Sequence, residues 1–94
     1  MKKVKILKID NYIYTLIDDD NNKYNLNFEF IDLNKNISVN DDMYINEELL
    51  NEKEFYTFGV LSSEFGKEIE SELDDDILII ESKEGRVYLK RLYG

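Results

Sequence analysis

The chain has 94 residues, enough for a single domain spanning 1–94, and 21 acidic against 12 basic side chains give a formal net charge of −9. A hydrophobic fraction of 43%, with seven Tyr and five Phe, supplies a core and argues against a disordered chain. Ala, Cys, His, Pro, Gln and Trp are absent, which excludes Ser-His and Cys-His nucleophile pairs, thiolate and imidazole metal ligands, disulfides and a histidine switch.

In chain order, Val4 to Ile9 reads as a strand whose apolar phase slips between Val4/Ile6 and Leu7/Ile9, as a β-bulge produces. Tyr12 to Ile17 is rich in aromatic and β-branched residues, which suit a pleated surface. Tyr24 to Phe30 alternates apolar and polar at every position, the pattern of a half-buried strand. The intervening Asp18-Asp19-Asp20-Asn21-Asn22-Lys23 reads as a hairpin loop, because Asn tolerates positive φ and Asp closes its own turns. Three antiparallel strands in a meander are expected over residues 3–31.

The stretch from Asp32 to Asn40 is polar and reads as a loop, followed by a short strand at Met43-Tyr44-Ile45. Asn46 is a cap candidate for one helical turn, with Glu47 and Glu48 where the helix dipole favours acids. Strand character returns at Phe55 to Leu61. The 62–73 segment is ambiguous: Phe65, Ile69 and Leu73 recur at helical spacing, yet Gly66 interrupts a thin apolar stripe. Asp76 to Glu81 contains the apolar run Ile77–Ile80, expected to be covered on both faces, and Gly85 fits the left-handed position of the turn into Val87–Tyr93.

These six or so strands specify a mainly β protein, a small antiparallel barrel-like domain with one or two short helical segments; the alternative is α+β with a helix near 62–73. In strand count and turn placement the layout is similar to OB-type or SH3-like barrels. Asn40-Asp41 precedes a short strand where many such barrels place Gly-Asp. No repeat or interdomain linker is visible. Lys5 and Lys8 break the N-terminal apolar positions, so there is no secretory h-region, and no apolar run reaches the ~20 residues of a membrane span. A cytoplasmic location without membrane contact is therefore expected, and the Asn36-Ile37-Ser38 sequon reads as an accident of an Asn-rich chain.

No catalytic, cofactor or metal residues are assigned. Asp18, Asp20 and Asn22 match positions 1, 3 and 5 of a calcium loop, with Glu29 at 12, but Lys23 stands where the loop needs Gly and both flanks read as strands. Asp74-Asp75-Asp76 reads as a charged guard before the Ile77–Ile80 run, since successive strand residues point to opposite faces. The hydroxyls of Ser62, Ser63, Tyr56 and Thr57 have no imidazole to activate them, so an enzyme is not expected.

Charge distribution is more informative. Residues 1–8 carry four lysines and residues 86–94 carry Arg86, Lys90 and Arg91, neither segment with an acid, while the rest of the chain holds a net −16. If the first and last strands were neighbours, Val4, Ile6, Val87 and Leu89 would point inward. Lys3, Lys5, Arg86, Tyr88, Lys90 and Arg91 would then form a basic interaction face, unless these cations only protect exposed strand edges. The expected function is a small acidic binding module for a protein partner or a second copy of itself, with Tyr12, Tyr14, Tyr44, Tyr56, Tyr88 and Tyr93 as candidate contacts. Single-stranded nucleic acid on the basic face is the alternative, disfavoured by net charge, and an acidic decoy that mimics nucleic acid is a third.

Overall fold

The computed structural model describes residues 1–31, 37–51, 54–62, 64, 66, 67 and 76–92. Among these residues there are seven strands: β1 (Lys2–Asp10), β2 (Ile13–Ile17), β3 (Lys23–Ile31), β4 (Asp42–Ile45), β5 (Phe55–Val60), β6 (Ile77–Ser82) and β7 (Gly85–Arg91). They run in the order β1-β2-β3-β5-β7-β6-β4, and β4 pairs with β1 to close a barrel. Every pairing is antiparallel except β3 with β5. The expected mainly β barrel and the meander over 3–31 are both present, and the parallel pair is the feature that local alternation does not announce.

Period-two patterning fills the interior. Val4 and Ile6, Leu26 and Phe28, Tyr56 and Phe58, Leu78 and Ile80 all belong to one buried cluster. Phe28 is its hub, with ring centroids 5.4 Å from Phe58, 5.8 Å from Tyr14 and 6.0 Å from Tyr56. At these separations aromatic pairs add about 0.5–1.5 kcal/mol beyond burial. The phase slip in β1 is a bulge: Ile6 pairs with Leu16, whereas Lys8 pairs with Thr15, leaving Leu7 as the extra residue. The bulge lets Val4 and Ile6 point inward while Lys8 turns outward.

Backbone conformations at the turns follow residue type. Asn21 in the β2–β3 loop has φ 66°, and Gly85 between β6 and β7 has φ 114°. Asn40 has φ 78°, so the position that small barrels often give to Gly is left-handed here as well. After β4, the Asn46 side chain accepts from Glu48 N at 3.0 Å and starts a 3₁₀ turn, Glu47–Asn51, that buries Leu49 and Leu50 against the barrel.

The β6 strand is apolar on both faces, as its sequence requires. Leu78 and Ile80 enter the barrel, while Ile77 and Ile79 form a second cluster outside it with Tyr88, flanked by Tyr44 and Leu61. Part of the 62–73 segment packs there. Glu64, Gly66 and Lys67 are helical, and Gly66 N donates to Ser62 O at 2.9 Å. Gly66 lies so close to Tyr88 that a Cβ would collide with the ring. Its glycine therefore serves a close approach and not a helix break. Phe65, Ile69, Leu73 and the remainder of this segment lie outside the described residues.

One expectation is overturned. The terminal strands are not neighbours: β4 and β6 stand between β1 and β7 on one side, and β2, β3 and β5 on the other. The assignment of Val4, Ile6, Val87 and Leu89 to the interior holds, because alternation sets a residue's face, but alternation carries no information about which strands pair.

Candidate interaction face

The expected basic face is interleaved with acids. Outward residues of β1, β4, β6 and β7 line up as Lys5, Asp42, Glu81 and Arg86, so two carboxylates separate the two cations. Arg86 Nε lies 3.1 Å from Glu81 Oε1, and Lys3 Nζ lies 3.9 Å from Asp42 Oδ2. The Arg86 guanidinium and the Tyr44 hydroxyl hold the Glu81 carboxyl below its ordinary range against the opposing effect of burial. The next outer row reads Lys3, Tyr44, Ile79 and Tyr88, with Tyr88 only 3% exposed beneath Gly66. Lys90 is exposed on β7, and Arg91 turns to the other end of the ladder, 4.7 Å from the Tyr56 ring and 3.5 Å from Glu54. These six residues do not make one surface. Nor do the cations guard an edge, because a closed barrel leaves neither β1 nor β7 with one.

Most of the candidate tyrosines are structural. Tyr14, Tyr56 and Tyr88 are buried and Tyr44 is half-buried; Tyr93 lies outside the described residues. The closed barrel buries Tyr14, Phe28, Tyr56 and Phe58 together, with Phe30 packed against them.

Tyr12 is the exception, and it has a neighbour that sequence reasoning passed over. A two-residue connection, Asn11-Tyr12, joins β1 to β2, with Asn11 at φ 54°, and Phe28 N donates to Tyr12 O at 2.8 Å. Parallel pairing then sets Phe55, at the start of β5, opposite Asn27, which in turn faces Ile13 on β2. The Tyr12 and Phe55 rings meet edge to face at 5.8 Å and 83°. Both stay open to solvent, at 56% and 52%, beside Ile13 at 46%. Alternation in Phe55-Tyr56-Thr57-Phe58 already places Phe55 opposite to the two buried rings; the signal for its partner was the unread β3–β5 pairing.

The same outer sheet continues into a cationic zone. One row holds Lys5, Ile17 and Lys23; the next holds Lys8, Thr15 and Asn25, with Thr15 Oγ1 donating to Asn25 Oδ1 at 3.0 Å. A third row is Asp10, Ile13, Asn27 and Phe55. Among the described residues Lys5, Lys8 and Lys23 make no ion pair.

The acid-rich loop at the edge of this zone is a structural device. Asp18 is 7% exposed. Its Oδ1 accepts from the backbone N of Asp20 and Asn22, each at 2.9 Å, and its Oδ2 accepts from the Tyr24 hydroxyl at 3.0 Å with Lys2 Nζ at 3.3 Å. Burial works to raise the Asp18 pKa, but the donors from Asn22, Tyr24 and Lys2 prevail and hold it at about 2. Both oxygens are committed to closing the loop, and Glu29 is carried along β3 to face Thr57. The calcium-loop spacing is thus used for a turn. Asp74 and Asp75 lie outside the described residues, while Asp76 O accepts from Arg91 N at 2.7 Å. No group of three or more potential metal-binding side chains occurs among the described residues, nor any helix long and apolar enough to cross a membrane. Comparison with protein-family models, curated proteins and solved structures finds no match.

Proposed function

We propose that this protein is a small acidic binding module that docks a protein partner on the outer face of β1, β2, β3 and β5. The observation that carries the reading is the edge-to-face Tyr12–Phe55 pair, which stays more than half exposed beside Ile13. Exposed single apolar residues are ordinary on protein surfaces, but two rings in contact, with an exposed isoleucine in the same row beyond Asn27, are concentrated at interfaces. The pair is also pre-organised: mutual packing and the Phe28–Tyr12 backbone bond hold the rings before a partner arrives, which lowers the entropy lost on docking. The chain contains no His or Cys, which favours binding over catalysis.

Nucleic acid remains a second reading, because unpaired lysines share the face with the two rings. A net charge of −9 opposes it at long range. The test is affinity capture of the tagged protein from native lysate, with and without nuclease, at low and moderate salt. A nuclease-resistant protein complex, lost with the Tyr12→Ala/Phe55→Ala double variant, supports docking. Nuclease-sensitive recovery of RNA or DNA supports the second reading. Capture indifferent to both ring substitutions rules out this face. Sedimentation over a concentration series identifies a second copy as the partner.

A further inference from the structure

We infer that the docking face selects an acidic segment of its protein partner, with carboxylates over Lys5, Lys8 and Lys23 and an aromatic or aliphatic anchor over Tyr12, Ile13 and Phe55. This inference rests on the docking role proposed above. The argument comes from the order of the rows. Two successive outer rows contribute lysines, Lys5 with Lys23 and then Lys8, and the third contributes the apolar Ile13 and Phe55. On β2 and β3 each row is separated from the next by two residues, about 7 Å along a strand, so an extended peptide reaches all three with alternate side chains. The lysines form no ion pair among the described residues, in a chain with nearly twice as many acids as bases. Cations without a carboxylate partner in such a chain are available to one from outside.

The flanks favour a peptide over a polynucleotide. Asp42 stands opposite Lys5 on the β4 side of the first row, Asp10 opposite Ile13, Glu29 opposite Thr57, and Asp19 and Asp20 project from the loop that precedes Lys23. A phosphate backbone carries one charge per nucleotide and would meet these acids wherever it ran past the lysines. A peptide places carboxylates only over the cationic rows and an uncharged group beside Asp10.

The test uses the isotope-labelled full chain and follows backbone amide shifts by NMR with three probes: a random copolymer of Glu and Tyr, polyglutamate, and oligothymidylate. Expected are shifts at Lys8, Tyr12, Asn25 and Phe55 with the Glu–Tyr copolymer, weaker binding of polyglutamate, and about tenfold loss of copolymer affinity in Lys8→Glu/Lys23→Glu. The neutral pair Lys8→Gln/Lys23→Gln is expected to fall between the two. Dispersed spectra of the variants establish that these exposed substitutions leave the fold intact. Equal or tighter binding of oligothymidylate overturns the inference, as do shifts confined to another face, absence of copolymer binding, or indifference to charge reversal. Capture that depends on Tyr12 and Phe55 but not on Lys8 and Lys23 leaves the docking role standing and removes only the acidic preference.

Discussion

The Tyr24 hydroxyl donates to Asp18 Oδ2 at 3.0 Å, joining the start of β3 to a carboxylate that already ties down the loop before it. The Asp18 pKa is about 2 in the folded protein against an ordinary 3.8. A depressed carboxylate stabilises the fold above its unfolded pKa, and that contribution disappears as pH falls through the folded value. Asp18 should therefore support the barrel fully above about pH 4 and lose its effect progressively between pH 4 and about 2. Thermal melts across this range should show a steep acid limb that Asp18→Asn flattens, together with a lower melting temperature at pH 7. Equal acid limbs for wild type and Asp18→Asn would show that the loop carboxylate does not govern acid stability.

Gly66→Ala separates two opposed effects. Helix propensity alone favours Ala by about 1 kcal/mol. The Cβ, however, would run into the Tyr88 ring, and relieving such a collision costs about 1–3 kcal/mol. The close approach should win, giving a net loss of stability in urea unfolding. A stabilised Gly66→Ala would mean that the segment does not rest on Tyr88.

Ring truncations should divide into two classes. Tyr88→Ala empties a site that is 3% exposed and should cost about 3 kcal/mol. Tyr12→Ala or Phe55→Ala removes an exposed ring and its edge contact and should cost about 1 kcal/mol or less, while abolishing capture if the proposed docking role holds. Parallel unfolding and binding measurements on the three variants check this division.

At two of the left-handed positions, Asn40→Gly should be neutral or slightly stabilising, whereas Asn40→Val and Gly85→Ala should each cost about 1–2 kcal/mol. For Gly85 the loss is conformational alone, because its Cβ would meet open space. Melting temperatures lower by about 4–8 °C per kcal/mol are the corresponding readout.

What the residues disclosed was local. Val4/Ile6 against Leu7/Ile9 showed the bulge, Asn21 and Gly85 marked left-handed turns, and the Ile77–Ile80 run required cover on both faces; each depends on neighbours within a few positions. The candidate site depended on pairing across the chain. Tyr12 and Phe55 meet only because β5 lies parallel to β3, and Lys3 and Tyr88 are held apart only because β4 and β6 pass between them. Period-two patterning assigns a face to each side chain and is silent on partner strands. Net charge was similarly blind: cations clustered along the sequence became cations separated across the sheet once Asp42 and Glu81 entered the same row.

The β6–β7 hairpin is inserted between β5 and β4, the two strands that precede it in the chain. A nascent chain that has already formed β1 to β5 holds an open, curled sheet with β4 at one rim and β5 at the other, each presenting unsatisfied amides and carbonyls. Docking residues 77–91 seals both rims in one event. Stalled synthesis or proteolytic loss of that hairpin should convert the barrel into a species prone to strand exchange.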